Sequence, residues 1–142
     1  MSKAERVYVA LGSNVGDREG HLAHARARLA NLDGTRLIAL SAVEETAPLG
    51  PVPQGPYLNQ MALLETELAP TALLAQLQAI EVERGRVRNL RWGPRTLDLD
   101  IVRFGDRELR DPALVIPHPE LPHRSFWLRE LAELEAAESS HE

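Results

Sequence analysis

Arg91-Trp92-Gly93-Pro94-Arg95-Thr96-Leu97-Asp98-Leu99-Asp100-Ile101 joins a basic, aromatic, turn-rich loop directly to a β-strand. Successive side chains of a strand point to opposite faces. Leu97, Leu99 and Ile101 therefore share an apolar face, and Asp98 and Asp100 share the other. The two aspartate Cα atoms fall two strand rises apart, about 6–7 Å. Like charges so placed repel unless something positive lies between or beside them. A divalent metal is one answer, since Mg²⁺ favours one or two carboxylates together with substrate phosphates. Arginines just upstream suit those phosphates. An Asp-Leu-Asp triplet is also what any strand with one wet face carries. Trp92 weighs against that plainer reading, because a large aromatic in a turn among arginines more often meets a ligand than fills a core.

Outward from this stretch, the chain alternates strands and helices. Leu97–Phe104 is the fourth strand pattern. Arg86–Pro94, before it, is a long loop, and Gly85 ends the helix that precedes the loop. That helix starts at Pro70, a favoured first-turn position, and carries Leu73, Leu74, Leu77, Ile80 and Arg84 as a stripe. Tyr57–Glu67 reads as the third strand. Between Ala47 and Pro56 the prolines and glycines exclude regular structure, and such a long loop in a compact domain is usually functional. Thr35–Thr46 reads as one second strand. The first helix has Leu22, Ala25, Leu29 and Leu32 at helical spacing, Asp17 as its N-cap and Asp33-Gly34 at its end. Arg6–Leu11 is the first strand. Downstream, Gly105-Asp106 is expected to turn the fourth strand into a hairpin with Glu108-Leu109. A Pro-rich segment and a short helix with Leu128, Leu131 and Leu134 follow, and residues 135–142 are expected to fray. The order β-α-β-β-α-β is the split βαβ, ferredoxin-like α+β arrangement, with an antiparallel sheet and helices on one face.

At 142 residues the chain is expected to be a single domain spanning 1–142, large enough to bury a core without staples. It has no cysteine, hence no disulfide, thiolate metal site or cysteine nucleophile. No apolar run reaches a membrane span, and the N-terminus passes straight into a strand pattern without a signal-type apolar segment, so the expectation is a cytoplasmic protein off the membrane. A net charge of −5 argues against nucleic acid. Yet Arg84, Arg86, Arg88, Arg91 and Arg95 cluster, which suits a small polyanion rather than a polymer.

Other groups read less sharply. Gly12-Ser13-Asn14-Val15-Gly16-Asp17 is neither a Walker loop nor Gly-x-Gly-x-x-Gly, and a tight strand-to-helix turn with a capped helix is the favoured reading. Tyr57 and Asn59 share a strand face, and an aromatic plus an amide suits a flat heterocycle. His118 lies between Pro117 and Pro119. His21 and His24 are expected to face solvent.

Taken together, these residues resemble the 6-hydroxymethyl-7,8-dihydropterin pyrophosphokinase family of folate biosynthesis. The resemblance rests on Ala10-Leu11-Gly12-Ser13-Asn14 with Gly16-Asp17, Pro48-Leu49-Gly50, Tyr57-Leu58-Asn59, and Glu81 followed by Gly85-Arg86-Val87-Arg88. It continues through Arg91–Ile101 and Ile116-Pro117-His118-Pro119 with Arg124 and Phe126. It implies an ATP- and magnesium-dependent diphosphokinase, with two Mg²⁺ ions, acting as a monomer on ATP and the pterin. Asp98 and Asp100 are then the metal ligands. Arg86, Arg95, His118 and Arg124 contact ATP phosphates, with Gln78, Arg88, Trp92 and Ile101 elsewhere around ATP. Thr46, Leu49, Tyr57, Asn59 and Phe126 form the pterin pocket, with Arg86 and Arg95 joining the two aspartates as catalytic residues. The two long loops are expected to close over the substrates. A metal-dependent phosphohydrolase, a non-catalytic nucleotide-binding module and an interaction domain remain as alternatives from other classes.

Overall fold

The computed structural model describes residues 4–47, 55–85 and 96–139. Strand β1 (Glu5–Ser13) leads to helix α1 (Arg18–Ala30), β2 (Thr35–Leu40), β3 (Glu44–Thr46), β4 (Tyr57–Thr66), α2 (Pro70–Glu83) and β5 (Asp98–Phe104). A small hairpin of β6 (Leu109–Asp111) and β7 (Leu114–Ile116) follows, then a single 3₁₀ turn and α3 (Ser125–Ser139). The main sheet is antiparallel in the order β2-β4-β1-β5, and β3 pairs with β4 beyond the end of β2. This is the expected α+β frame.

Both faces of the sheet are covered. Val7, Val9 and Leu11 point to one side, where Leu22, Ala25 and Leu29 of α1 and Leu73, Leu77 and Ile80 of α2 close the main core. Tyr8 and Ala10 point to the other side, where α3 packs Trp127, Leu131 and Leu134 on Met61, Leu63 and Val102. The two helices of the βαββαβ frame thus share a face, and the added third helix takes the opposite one. Asp17 caps α1 as its sequence predicts, accepting from Gly20 N at 3.0 Å.

Four local expectations need correction. The stretch 35–46 is two strands, because Ser41 breaks the ladder. Its Oγ accepts from Met61 N at 2.8 Å, and its carbonyl accepts from Gln60 Nε2 at 2.7 Å. A serine side chain that bonds nearby backbone competes with regular pairing in this way. Second, Leu109 pairs with Ile116 and not with β5. The turn after β5 closes with Arg107 N on Phe104 O, and Gly105 N donates to Arg6 O of β1. Third, residues 135–139 continue α3 instead of fraying, with Glu135 and Glu138 paired to Arg103 and Arg6 of the sheet, and 140–142 lie outside the described residues. Its buried stripe is Trp127, Leu131 and Leu134, while Leu128 is exposed. Fourth, His21 is buried, and its Nδ1 accepts from Arg84 Nε at 2.9 Å.

Candidate active site

Asp98 pairs with Gly12 and Asp100 with Ala10, so the two carboxylates project from one face of β5. Leu99 and Ile101 are buried on the other face in the main core. β5 is an edge strand, and an edge leaves backbone groups unpaired. Here α2 covers one of them: Leu99 N donates to Glu81 Oε2 at 2.7 Å. Glu81 is 1% exposed. This bond holds the residue between the two aspartates from outside the sheet.

Gly12 also pairs with Asn59 of β4, which pairs in turn with Glu44 of β3, and Tyr57 pairs with Thr46. Residues directly opposite one another share a face, so Asp98, Gly12 and Asn59 form a row across three strands. Two inter-strand spacings separate Asp98 from Asn59, about 10 Å. Gly12 lies between them without a side chain. A Cβ there would stand 3.4 Å from Tyr57 Cδ1 and 3.5 Å from Asn59 Oδ1. Gly12 and Asn59 are both buried, so the missing side chain is what lets the Tyr57 ring and the Asn59 amide pack closely over β1 beside the acidic pair. Asn59 Nδ2 donates to the Thr46 hydroxyl, which orients the amide. Asn14 Nδ2 donates to Gly55 O at 3.2 Å, and Arg18 bonds Pro56 O and Glu45. The start of α1 thereby anchors the approach to β4.

His118 reaches the same face from the segment after β7. A bulge between β1 and β5 leaves Val102 out of the pairing register, and its carbonyl accepts from His118 N at 2.9 Å. Pro119 follows the histidine, and Pro117 precedes it through a cis bond to Ile116. Glu120 N can only donate, and it lies 3.0 Å from His118 Nδ1. The neutral ring therefore carries its proton on Nε2, which stands 3.8 Å from Asp100 Oδ1. Burial, and then the Arg124 guanidinium, hold the His118 pKa below the usual histidine value, while Glu120 and Asp98 oppose them. At neutral pH the ring is an uncharged donor aimed at the acidic pair.

Arg124 immediately precedes α3, and its carbonyl receives Trp127 N at 3.0 Å. Its Nε is buried with no hydrogen-bond partner among the described residues, and its guanidinium carbon lies 4.4 Å from the Trp127 ring centroid. Phe126, half-buried, stands in the first turn of α3 on the same side of the sheet. Gln78 is half-buried on α2. The Ile101 side chain is 2% exposed in the core, so any contact it makes with a ligand is through its backbone. Arg86, Arg88, Trp92, Arg95 and Leu49 lie outside the described residues, as do most of both long loops.

Three further residues contribute that the sequence motifs do not single out. Trp127 stands beside Phe126, and its spacing to Leu131 and Leu134 marks a buried stripe. Glu81 belongs to a motif whose spacing does not reveal its role. As a carboxylate four residues after Leu77 and one after Ile80, it sits on a helix stripe that otherwise buries apolar groups. Gly12 read as part of a turn, yet it lies inside β1, where a strand interior ordinarily carries a side chain.

No group of three or more His, Asp and Glu able to hold a metal occurs among the described residues. The acidic pair nevertheless fits a hard cation that takes its remaining ligands from phosphate oxygens and water.

A sheet with a two-carboxylate edge, a neutral histidine and a half-buried arginine on one side, and an aromatic–amide pair across a buried glycine, has the layout of a phosphate-transfer site. The family model for 7,8-dihydro-6-hydroxymethylpterin-pyrophosphokinase matches residues 8–136. The 2-amino-4-hydroxy-6-hydroxymethyldihydropteridine pyrophosphokinase of Pseudomonas aeruginosa is 50% identical over 130 residues, covering 92% of this chain and 80% of that protein. Those of Haemophilus influenzae and Bacillus subtilis are each 43% identical over 127 residues, covering 89% of this chain and 79% and 76% of theirs. The chain belongs to the 7,8-dihydro-6-hydroxymethylpterin-pyrophosphokinase family.

Proposed function

We propose that the protein transfers diphosphate from ATP to the hydroxymethyl oxygen of 6-hydroxymethyl-7,8-dihydropterin, giving the pterin diphosphate and AMP in folate biosynthesis. The observation that carries this reading is the row Asp98–Gly12–Asn59, which sets an acidic edge and an aromatic–amide pair about 10 Å apart on one face of the sheet. The substrate oxygen attacks the β-phosphorus, the bond from that phosphorus to the α,β-bridging oxygen breaks, AMP departs with the bridging oxygen, and the hydroxyl proton is released.

Chemistry of this kind asks a protein for positioning and charge neutralisation more than for covalent help. Asp98 and Asp100 are the residues that would hold magnesium, two ions by the family resemblance. Bound there, the metal supplies Lewis-acid polarisation of phosphate oxygens and acidifies the attacking hydroxyl. His118 offers its Nε2–H and Arg124 its guanidinium to the phosphates. Gln78 and the Ile101 backbone border the nucleotide. Arg86, Arg88, Trp92 and Arg95 complete the ATP side by their place in the matched motif, and Arg86 and Arg95 neutralise the departing α-phosphate. The pterin ring lies between Tyr57 and Phe126, with Asn59 and Thr46 on its polar edge and Leu49 beside it. A monomer as the working unit follows from the family resemblance, and the match over 8–136 supports one functional domain. No described helix is long and apolar enough to cross a membrane. We place the enzyme in the cytoplasm, where its nucleotide co-substrate is held.

One assay tests the reading: AMP formation from ATP and magnesium, with and without hydroxymethyldihydropterin. AMP that appears only with the pterin is expected. Orthophosphate or AMP release without it would instead mark a phosphohydrolase, and binding of ATP without any turnover would mark a nucleotide-binding module.

A further inference from the structure

We propose that Trp127 is the positioning residue for the phosphate-binding side of the site, fixing His118 and Arg124 through one indole. This rests on the reading above that those two side chains contact ATP phosphates. Trp127 is 2% exposed and packed with Tyr8, Ala10, Met61, Leu63, Val102, Leu131 and Leu134, so the second core of the sheet immobilises it. Two groups from separate segments rest on it. The His118 ring meets it edge to face, with centroids 4.9 Å apart and an interplanar angle of 87°. The Arg124 guanidinium lies 4.4 Å from the ring centroid. A guanidinium on an aromatic surface keeps its in-plane N–H donors for an anion. The indole takes up the flexibility that a long arginine side chain would otherwise lose on binding.

Trp127 touches neither reacting group, so its effect is confined to how ready those donors are. A residue that merely filled the core would change the amount of folded enzyme and leave both Michaelis constants alone. The test is steady-state kinetics of Trp127→Leu and Trp127→Phe, with the magnesium-ATP dissociation constant of each measured by calorimetry. Trp127→Leu is expected to weaken magnesium-ATP about tenfold and raise the ATP KM in parallel, with the pterin KM within about twofold of wild type. Trp127→Phe, which keeps an aromatic face but a smaller one for Arg124 and His118 to share, is expected to show about a threefold loss. Arg124→Ala should cost less in the Trp127→Leu background than in wild type, because both changes remove the same stacked group.

An unchanged ATP dissociation constant in Trp127→Leu overturns the proposal, as does an equal weakening of both substrates. Should Trp127→Leu not fold, Trp127→Phe decides: wild-type ATP affinity there overturns it. The calorimetric comparison needs no turnover. Failure of wild-type AMP formation therefore counts against the transfer reading, and unchanged nucleotide binding counts against this one.

Discussion

At the scale of single residues, the site depends on where side chains are present and where one is missing. Asp100→Ala removes half of the acidic pair from a half-exposed strand face. It is expected to lower transfer by about a hundredfold to a thousandfold, the range seen when one preorganised charge-stabilising group is lost, with the melting temperature little changed. Magnesium-dependent turnover at the wild-type rate would remove Asp100 from the mechanism. Gly12→Val makes the opposite change, because it adds bulk against the Tyr57 ring and the Asn59 amide. A Cβ at this position already stands 3.4 Å from the Tyr57 ring, and the two γ-methyls extend further. Pterin affinity is expected to fall about tenfold or more while calorimetric ATP affinity is kept, given that an overfilled site costs about 1–3 kcal/mol. An unchanged pterin KM would mean that the ring does not lie over Gly12.

At the scale of elements, two buried carboxylates on helices behave differently because one has a partner. Glu81 of α2 takes the Leu99 N–H at the open edge of β5. Glu81→Ala strands that donor and should destabilise the protein by about 1–3 kcal/mol in urea unfolding, whereas Glu81→Gln keeps an acceptor oxygen and should cost less. Equal losses would show that the hydrogen bond is not what the position supplies. Glu130 of α3 is 1% exposed, and both its carboxyl oxygens are buried without a hydrogen-bond partner among the described residues. Burial, with Glu44 and Glu133 nearby and only Arg129 opposing, pushes its pKa up to about 8 from 4.5. Folding therefore favours protonated Glu130. Its contribution to stability is whole below about pH 4.5, shrinks as the pH rises through the interval at no more than about 1.4 kcal/mol per pH unit, and is gone above about pH 8. Glu130→Gln stays neutral and should flatten this fall in a melting-temperature series. Parallel pH curves for the two proteins would mean that Glu130 ionises freely in the fold.

At the scale of the whole molecule, one sheet serves two purposes because its faces are dressed differently. The α1–α2 face is apolar along the strands and holds β5 in place. The other face is split: α3 covers Tyr8, Ala10, Met61 and Leu63, and beyond its first turn the same strands carry the buried Gly12 and Asn59 beside the half-buried Tyr57, Asp98 and Asp100. A ligand held on that face binds the folded chain and not the unfolded one, so it raises the unfolding temperature in proportion to the logarithm of its concentration. Magnesium-ATP is expected to raise the melting temperature of the wild type, and Asp98→Asn should blunt the shift. A full shift in that variant would separate nucleotide binding from the acidic pair.

Much of this was legible in the chain because it is local. The alternation of Leu97, Leu99 and Ile101 against Asp98 and Asp100 sets which face each residue takes, and strand geometry transmits that directly. The Asp17 cap, the start of α2 at Pro70 and the β-α-β-β-α-β order follow from equally short-range rules. What depends on contacts between distant residues was not legible. Ser41 divides a continuous-looking strand only because Gln60 and Met61 lie alongside it. Glu81 is a cap only because the edge of β5 passes it, and Trp127 meets the His118 ring only because His118 arrives from the segment after β7. Sequence by itself determined which side chains share a strand face or a helix stripe, since backbone stereochemistry repeats every two or 3.6 residues. Tertiary structure alone decided which faces meet, because burial and hydrogen bonding are satisfied between segments whose separation along the chain carries no signal of their neighbourhood.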